Sequence, residues 1–438
     1  MNKRIIAGML AGFLAVSAWG QTSKTLSPYS QYGLGILSDQ SLGMGRGMAG
    51  LSLGVRDSKF PNVQNPASYS AIDSLTMVLD AGVSGLITNF KEGNVKTNAK
   101  TAGFDYAVAL FRLFPKIGAA VGIIPYSNIG YNYMVAQHVS GGATGTGTAG
   151  ASYATSYTGD GGLSQVFFGL GYEFVRGFSF GANISYFWGK YDKSIITAST
   201  DSYANTLTKN YYASVSTWKL DLGAQWWKML NKNDRLTIGA TVGIGHKLGA
   251  DAKLSTITVN TSTGVSVTTG DSISNALSIP FSFGAGASLL HKNSLMVGVD
   301  YTLQKWGNLD FPQVDESTKR YVMKSGLMKD RHQVTVGLDW LPNPNPVVRG
   351  FFKHIHYRFG ASYATPYYKI GTQDGPKEIC VGAGLGIPII NSWNNRSTLN
   401  ISAQWVHRSA KDLVTENSFR ISVGLTFNER WFAKWKVD

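Results

Sequence analysis

Residues 178–189 read Phe-Ser-Phe-Gly-Ala-Asn-Ile-Ser-Tyr-Phe-Trp-Gly. Large apolar residues mostly alternate there with small or polar ones, and successive side chains of a β-strand point to opposite faces of a sheet. The stretch therefore predicts a strand with one apolar face and one mostly small, polar face. The same alternation recurs in segment after segment from about Leu75 to Phe427. Many of these segments reach about ten residues, the length that a tilted strand needs to cross a bilayer.

Fourteen such segments can be counted, and short connections such as Arg176-Gly177 alternate with long ones such as 135–162. An even strand number and alternating turns and loops are typical of outer-membrane barrels. We therefore predict an all-β fold, a 14-stranded antiparallel transmembrane β-barrel over residues 74–429 with both termini on the periplasmic side. The strands are predicted at 74–87, 101–113, 117–134, 163–175, 178–193, 207–228, 235–253, 277–290, 294–306, 327–340, 354–364, 377–388, 397–407 and 417–429.

Tryptophans are predicted to form the two aromatic girdles of such a barrel. The strand order places Trp188, Trp306 and Trp405 near the outer rim. It places Trp226, Trp340 and Trp431 near the inner rim.

The two ends of the chain differ from the barrel. Residues 1–20 have the pattern of a secretory signal peptide, with a basic start, a short apolar stretch and small residues before Gln21. This leader and the strand pattern predict the outer membrane of a Gram-negative cell. Residues 21–73 are rich in Gly and Ser, and we predict that they form a hatch inside the lumen, because fourteen strands enclose more room than their side chains fill. Residues 430–438 are predicted to be a periplasmic tail.

The formal net charge is +14, and removal of Lys3 and Arg4 with the leader lowers it by two to +12. A basic chain can bind nucleic acid, but a secreted barrel does not meet it and the charge is not clustered among aromatic residues. We therefore expect outer-membrane lipids as partners and no nucleic acid. The basic residues that could meet anionic head groups lie in or beside the short turns: Arg112, Lys116, Arg176, Lys232, Arg235 and Lys292.

No pattern of residues indicates an enzyme, a metal site or a cofactor. The single cysteine, Cys380, excludes an intramolecular disulfide and a multi-cysteine metal site. His354 and His356 share a strand face, but zinc normally takes three or four ligands. No Ser/His/Asp set can be placed from the sequence.

Two short motifs precede the first predicted strand. Residues 45–50, Gly-Arg-Gly-Met-Ala-Gly, formally match a dinucleotide fingerprint, but no strand precedes them and no helix follows. Their glycines instead favour tight turns and close packing inside the lumen. Asn65-Pro66-Ala67 predicts a rigid turn into the barrel wall, because proline fixes φ and keeps the preceding residue extended.

These stretches carry a resemblance to a known family. Residues 43–50, Gly-Met-Gly-Arg-Gly-Met-Ala-Gly, followed by Asn65-Pro66-Ala67 and a long barrel, resemble the FadL/TodX family of outer-membrane transporters. Residues 123–128, Ile-Ile-Pro-Tyr-Ser-Asn, resemble that family's proline-interrupted third strand. The resemblance implies a fourteen-stranded barrel with an N-terminal hatch and diffusion of hydrophobic molecules. It assigns Gly45, Gly47, Gly50, Asn65, Pro66 and Ala67 to the hatch motif.

In that family a kink in strand three opens a lateral gap toward the bilayer. The residues predict such a kink independently, since Pro125 cannot donate a ladder hydrogen bond and Gly130 would ease a bend. A bulge that only shapes the wall is the alternative. A lateral opening is therefore predicted at Pro125–Gly130, and continuous pairing of strands two, three and four would contradict it.

Charges of both signs are predicted on the inward face, and a buried charge must be paired or hydrated. They could form a selectivity lining or a salt-bridge network that holds the hatch through Arg46 or Arg56. We favour the network because both signs are present. The candidates are Asp80, Asp105, Glu173, Lys219, Asp221, Asp300, Asp339, Arg358 and Arg420.

Two functions are predicted. The first is passive uptake of hydrophobic or amphipathic small molecules such as fatty acids, with a binding pocket lined by Met44, Met48, Leu51, Phe111, Phe167 and Phe187. The second is a non-transporting barrel subunit of an outer-membrane protein assembly or secretion complex, because Ser27–Gly33 (Ser-Pro-Tyr-Ser-Gln-Tyr-Gly) resembles a Bacteroidota-like branch of the family. Uptake predicts an apolar cavity that reaches the lumen, whereas the second function predicts a sealed lumen and partner proteins.

Overall fold

The computed structural model describes residues 25–74, 76–138, 152–199, 203–345, 350–389 and 397–430. The predicted signal peptide and all but the first residue of the predicted tail lie outside these ranges. Among the described residues, no helix is both long and apolar enough to cross a membrane.

Fourteen antiparallel strands form one closed barrel, as the sequence predicts. Each strand pairs with its neighbours in the chain, and the first and last pair from Thr76–Arg430 to Lys91–Thr415. The strands are β1 (Thr76–Glu92), β2 (Val95–Phe114), β3 (Ile117–His138), β4 (Ser152–Val175), β5 (Phe178–Ser199), β6 (Thr206–Met229), β7 (Asp234–Gly243), β8 (Ser282–His291), β9 (Leu295–Gln304), β10 (Arg331–Trp340), β11 (His356–Ala364), β12 (Lys377–Ile389), β13 (Ser397–Ser409) and β14 (Thr415–Arg430).

The alternation in β5 has the predicted orientation. Phe180, Ile184 and Tyr186 are more than half exposed on the outer face, whereas Ser179 and Asn183 are buried on the inner face. Apolar residues cover the outside because they meet lipid, and small residues leave room within. The same outward belt continues on other strands, for example at Phe168, Leu222, Val336 and Ile421.

We call the end of the barrel with turns such as Pro115-Lys116 the short-turn end, and the opposite end the long-loop end. Several predicted loops at the long-loop end are strands. β1 and β2 meet at a tight turn at Gly93-Asn94, and β5 runs on to Ser199. In these extensions many residues on both faces are polar, so the apolar alternation stops while backbone pairing continues. Polar cross-strand contacts then hold the ladder, as between the Thr155 and Thr197 hydroxyls, 3.2 Å apart.

Short elements complete the fold. Strands Ala252–Val259 and Ser266–Ile273 form a hairpin, and its first strand pairs with the upper part of β6. Strands Phe311–Val314 and Tyr321–Lys324 form a second hairpin. The remaining elements are strand Ile36–Leu37, strand pairs His246–Lys247 with Ser278–Ile279 and Lys369–Ile370 with Gln373–Asp374, α-helix Gly43–Arg46, and 3-10 helices Pro28–Gln31, Pro66–Ala71 and Phe351–His354.

One tryptophan is not in the predicted girdle. Trp306 is 1% exposed and packs on Tyr367, with ring centroids 4.7 Å apart. It follows the end of β9 at Gln304, so strand alternation no longer sets its direction. Trp340 is 47% exposed at the short-turn end; Trp188, Trp226 and Trp405 are half-buried; and Trp431 lies outside the described residues.

We call residues 25–74 the N-terminal segment. It begins at the long-loop end, where Ser27 Oγ donates to the Glu416 carboxylate and Tyr29 Oη donates to the Val414 carbonyl. It reaches β1 at the short-turn end, where Thr76 pairs with Arg430. The two ends of the described chain therefore lie at opposite ends of the barrel. The expectation of two periplasmic termini stays a prediction, because residues 1–24 and 431–438 lie outside the described ranges.

Candidate functional site

β2 and β3 separate partway along the wall. Their pairing runs from Phe114–Ile117 to Ala107–Ile123, and the described residues show no pairing between them beyond that point. β2 nevertheless continues along β1 to Val95, and β3 continues along β4 with a bulge between Pro125 and Ser127. The separation begins beside Pro125, which has no N–H to donate. Continuous pairing of the three strands is thus not found, and a gating role for the opening stays a prediction.

The N-terminal segment replaces β2 along the freed edge of β3. Ile36 pairs with Asn128 and Leu37 with Ser127. The Ser38 N–H donates to the Tyr126 carbonyl at 2.9 Å. Further along, Gln40 Nε2 donates to the Pro125 carbonyl at 2.7 Å.

Ser30 makes a reciprocal contact higher on β3. Its hydroxyl donates to the Gly130 carbonyl at 3.0 Å and accepts from the Gly130 N–H at 3.0 Å. The N-terminal segment therefore lines the stretch Pro125–Gly130, which is predicted as a lateral opening.

A buried ion pair fixes the segment to β2 beside the break. Gly82 pairs with Tyr106 and Val83 with Phe104, so Asp105 is the extra residue of a β-bulge. Arg46 Nη1 lies 2.6 Å from Asp105 Oδ2, and the two side chains are 4% and 12% exposed. The Arg46 guanidinium also lies 5.3 Å from the Tyr106 ring centroid. The bulge thus turns both Asp105 and Tyr106 toward the segment.

Beyond Arg46 the segment follows the inner wall around the barrel in strand order. At each of many strands its backbone or side chains meet an inward glycine. The contacts pair Gly47 with Gly384 of β12, Met48 with Gly360 of β11 and Gly337 of β10, Leu51 with Gly298 of β9, Leu53 with Gly239 of β7, Pro66 with Gly181 of β5, and Tyr69 with Gly118 of β3. A segment that touches strands around the whole ring lies within it.

The glycines allow a closer approach than any side chain would. A Cβ added at Gly239 would lie 1.9 Å from the Leu53 carbonyl oxygen, and one at Gly118 would lie 2.0 Å from the Tyr69 carbonyl oxygen. Because both neighbours are backbone atoms, neither can rotate away. The segment and the wall are in direct backbone contact at these points.

Asp300 of β9 anchors the middle of the segment. Its carboxylate accepts from the backbone N–H groups of Ser52 at 2.6 Å, Leu53 at 2.8 Å and Gly54 at 3.4 Å. Asp300 is 4% exposed. One buried side chain thus satisfies three donors of a stretch that forms no helix or sheet.

Asp300→Ala is expected to lower the free energy of unfolding by about 3 kcal/mol, because buried N–H groups lose a charged acceptor. Asp300→Asn keeps an acceptor oxygen and is expected to cost less. Thermal unfolding in detergent, followed as the loss of the compact form of the barrel on unheated gels, measures both. Equal midpoints for wild type and Asp300→Ala would contradict the anchor.

Arg56 and Asn65 fix the last part of the segment. Arg56 Nη2 lies 3.0 Å from Glu173 Oε2, and its Nη1 donates to Ser70 Oγ at 3.1 Å. Burial lowers the pKa of Arg56 to about 10, while Glu173 opposes that shift. The Asn65 side chain accepts from the Ala67 N–H and donates to the Leu53 carbonyl. Asn65-Pro66-Ala67 thus starts the 3-10 helix with a side-chain cap and proline at the first helical position.

Asp39 ties the segment to β13. Its Oδ1 accepts from the Ser41 N–H at 2.9 Å, and Gln404 Nε2 donates to its Oδ2 at 3.4 Å. Burial raises the pKa of this carboxyl, but Arg46 and the Ser41 hydrogen bonds outweigh burial and hold the pKa below its usual value. Asp39 therefore stays ionised beside Arg46.

Most of the predicted inward charges are structural. Asp105, Glu173 and Asp300 bind the segment, as the network hypothesis predicts. Lys219 pairs with Asp221 on the same strand, and Arg358 Nε lies 3.5 Å from Asp339 Oδ2. Asp80 accepts from the Tyr106 hydroxyl at 3.1 Å, and Arg420 is half-buried on β14.

A second set of contacts closes the long-loop end. The Tyr367 hydroxyl donates to the Gly35 carbonyl, and the Tyr368 hydroxyl donates to the Tyr29 carbonyl at 3.2 Å. Lys193 Nζ donates to the Gln31 carbonyl at 2.6 Å. Sequence reasoning did not find Tyr367, Tyr368 or Lys193, because they meet the segment only in the folded barrel. These three residues hold Ser27–Gly33, the stretch whose sequence resembles a Bacteroidota-like branch of the FadL/TodX family.

The predicted pocket residues lie in separate apolar clusters. Met44, Met48 and Leu51 pack together with Phe60. Phe167 packs in a second cluster with Tyr69, Tyr106 and Ile124, and Phe187 packs in a third with Tyr126 and Trp306. They therefore do not converge on one pocket.

Phe111 faces outward and lines no pocket. It pairs with Met77, whereas its neighbour Leu110 is 1% exposed on the inner face. The bulge at Asp105 explains the difference: it adds one residue to β2 and inverts the facing of the residues after it. Counting in twos from Asp105 therefore assigns Phe111 to the wrong face.

The N-terminal segment encloses a small cavity. One cavity between residues 40–55 and 60–64 has a volume of about 20 Å³, room for roughly one water molecule. Pockets for small organic ligands are typically about 300–1,000 Å³. The described residues also contain no group of three or more His, Cys, Asp or Glu placed to hold a metal ion.

Comparison with solved structures shows the same fold. The Pseudomonas putida toluene transporter TodX shares 14% identity with a TM-score of 0.59 over 91% of this chain and all of its own. The Ralstonia pickettii toluene transporter TbuX shares 13% with a TM-score of 0.59 over 90% of this chain and 99% of its own. A Pseudomonas aeruginosa FadL homologue shares 12% with a TM-score of 0.57 over 90% and 98%. No curated protein sequence matches the chain.

These identities establish a common architecture and say nothing about a shared substrate. A family model, in contrast, matches the sequence itself, over residues 1–438. That model describes BamG. The chain therefore belongs to the BamG family.

Proposed function

We propose that this protein is a non-transporting barrel subunit of an outer-membrane protein assembly complex. The observation that carries the proposal is the filled lumen: the N-terminal segment is in backbone contact with inward glycines around the ring. The family name BamG fits this function. The apolar outer belt and the likeness to outer-membrane transporters support an outer-membrane location.

The anchors favour a segment that stays in place. Displacement would break contacts at the carboxylates of Asp105, Glu173 and Asp300, and each hydrogen bond to a charged group contributes about 1.5–3 kcal/mol. Three such losses disfavour an open state by roughly a thousandfold or more. The segment is also held at both ends, by β1 at the short-turn end and by Ser27 and Tyr29 at the long-loop end.

The long-loop end offers a contact surface for partner proteins. β4 has 24 residues, but its exposed apolar residues other than Tyr153 lie between Val166 and Val175. Since a bilayer needs about 9–11 residues of a tilted strand, roughly half of β4 projects beyond the bilayer. β5, β6 and the hairpin of residues 252–273 extend the same wall, which is polar and paired.

A cross-link between the N-terminal segment and the barrel wall tests whether the segment stays fixed or moves. Ala49 and the native Cys380 of β12 belong to one buried cluster, so Ala49→Cys is expected to form a disulfide with Cys380 under oxidation. For an assembly subunit, the oxidised protein is expected to retain the same partners as wild type. Partners are measured by affinity capture from mild detergent and mass spectrometry, and the bond is verified by the linked peptide.

The matched control is the same variant kept reduced, which carries the substitution without the bond. Loss of partners only in the oxidised form would contradict a fixed N-terminal segment. Capture of no outer-membrane assembly protein by wild type would contradict the proposed function itself.

Uptake of hydrophobic compounds such as fatty acids is the second candidate, and the separation of β2 from β3 favours it. In that case the segment must move away from β3 to admit a ligand. The oxidised Ala49→Cys protein would then lose uptake of a labelled fatty acid in cells, and the reduced protein would retain it. The same variant thus tests both functions with opposite expected results.

A further inference from the structure

A set of exposed cations surrounds the short-turn end. None of them forms an ion pair within the described part of the chain. They stand at the turns or strand ends between β2 and β3, β4 and β5, β6 and β7, β8 and β9, and near the start of β11. They are Lys116, Arg176, Lys228, Lys232, Lys292 and Lys353. We call this set the basic rim.

Exposed apolar residues accompany the basic rim at most of these positions. Phe114 is 65% exposed, two residues before Lys116, and Phe174 is 62% exposed, two residues before Arg176. The others are Leu230, 55% exposed between Lys228 and Lys232, and Phe352, 73% exposed beside Lys353. An apolar side chain next to a cation suits the boundary between acyl chains and head groups. There the apolar side chain enters the lipid and the cation stays hydrated.

Two acidic residues at this end contact residues outside the rim. Glu173 is paired with Arg56, and Asp234 Oδ1 lies 2.5 Å from His291 Nδ1. The six cations of the rim are exposed and form no ion pair among the described residues, at the level where the outer apolar belt ends.

Two basic residues near these turns have another task. Arg112 Nη1 donates to Ser74 Oγ at 2.9 Å, and Arg235 Nη2 donates to the Arg56 carbonyl at 2.8 Å. Both hold the N-terminal segment and are excluded from the rim. Unlike Arg112 and Arg235, the six cations of the basic rim have no structural role in the described part of the chain.

We propose that the basic rim binds the phosphate-bearing head groups of anionic phospholipids in the leaflet at the short-turn end. Each turn supplies one or two cations for phosphate, and the neighbouring apolar residue enters the acyl region. Attraction between juxtamembrane cations and anionic lipid is additive over several residues and is screened by salt. The proposal does not depend on whether the lumen transports.

The test uses the full chain in nanodiscs of equal parts phosphatidylcholine and phosphatidylglycerol. After gentle extraction, the ratio of the two lipids retained by the protein is measured by mass spectrometry. Wild type is expected to retain phosphatidylglycerol above the bulk ratio. The rim variant combines Lys116→Asn, Arg176→Gln, Lys232→Gln and Lys292→Asn and is expected to return to the bulk ratio. Asparagine is used at 116 and 292 because both residues have positive φ.

The matched control removes four exposed lysines at the long-loop end, with Lys91→Gln, Lys96→Gln, Lys100→Gln and Lys253→Gln. It is expected to retain phosphatidylglycerol as wild type does. Equal retention by all three proteins, or equal loss in the rim variant and the control, would overturn the proposal. Compact mobility on unheated gels shows that each barrel is folded. A further experiment adds inorganic phosphate in solution, to distinguish a lipid head-group site from a free-phosphate site. Sodium chloride of equal ionic strength is the control. Loss of the lipid with phosphate but not with sodium chloride would indicate a free-phosphate site and overturn the proposal.

Discussion

Gly239→Ala and Gly118→Ala are expected to release the N-terminal segment while the barrel stays folded. The new methyl groups would lie 1.9 Å from the Leu53 carbonyl and 2.0 Å from the Tyr69 carbonyl, so the segment backbone must move. Overpacking of this kind costs about 1–3 kcal/mol per site. The stabilisation of the segment lost in the double variant is expected to be the sum of the losses in the two single variants. Limited trypsin digestion measures the release, as cleavage after the buried residues Arg46 and Arg56.

Gly85→Ala is the control for this experiment. Gly85 lies in β1, and a Cβ added there meets no atom within 4 Å. The same chemical change in a barrel strand is therefore expected to leave the cleavage rate at the wild-type value. Equal protection of the segment in Gly118→Ala, Gly239→Ala and Gly85→Ala would show that the close approach is not real.

Arg46→Met is expected to lower the free energy of unfolding by about 3–5 kcal/mol, because it leaves the Asp105 carboxylate buried without its partner. The two groups are 2.6 Å apart and almost fully buried. Arg46→Met combined with Asp105→Asn removes the unpaired charge and is expected to recover part of that loss. Denaturant or thermal unfolding of the four proteins in a double-mutant cycle measures the coupling energy.

An exposed ion pair provides the matched control. Lys305 Nζ lies 2.7 Å from Asp330 Oδ2, but the two side chains are 47% and 28% exposed. Lys305→Met is therefore expected to change the free energy of unfolding by at most about 1 kcal/mol. A loss for Arg46→Met no larger than that of Lys305→Met would contradict a structural role for the buried pair.

The barrel was predictable because each strand carries its own evidence. Alternation within β5 or β14 is local, so fourteen strands could be counted without knowing any contact between them. The extended strands at the long-loop end were not predictable in this way. Residues such as Thr155 and Thr197 are polar and half-buried, and polar cross-strand contacts leave no apolar period.

The site was only partly predictable, because its contacts join residues distant in sequence. Asp105, Glu173 and Asp300 could be suspected as inward charges, but their partners could not be assigned. The assignment of Phe111 to the lumen was wrong because a bulge has no mark in the sequence. A usable pattern does exist: inward strand positions such as Gly118, Gly239 and Gly360 carry glycine where side chains could otherwise fill the lumen.

The bond between Ser27 and Glu416 spans 389 positions of the chain. The first residues of the segment therefore reach their native partners only after the last strand has been made and placed. Contacts of such sequence separation are formed late and slow folding, because the loop they close is costly in entropy. The inward glycines must meanwhile stay accessible, so the segment has to enter before β1 and β14 seal the ring. Closure of that seam, rather than formation of individual strands, is thus expected to be the slow step in the biogenesis of this barrel.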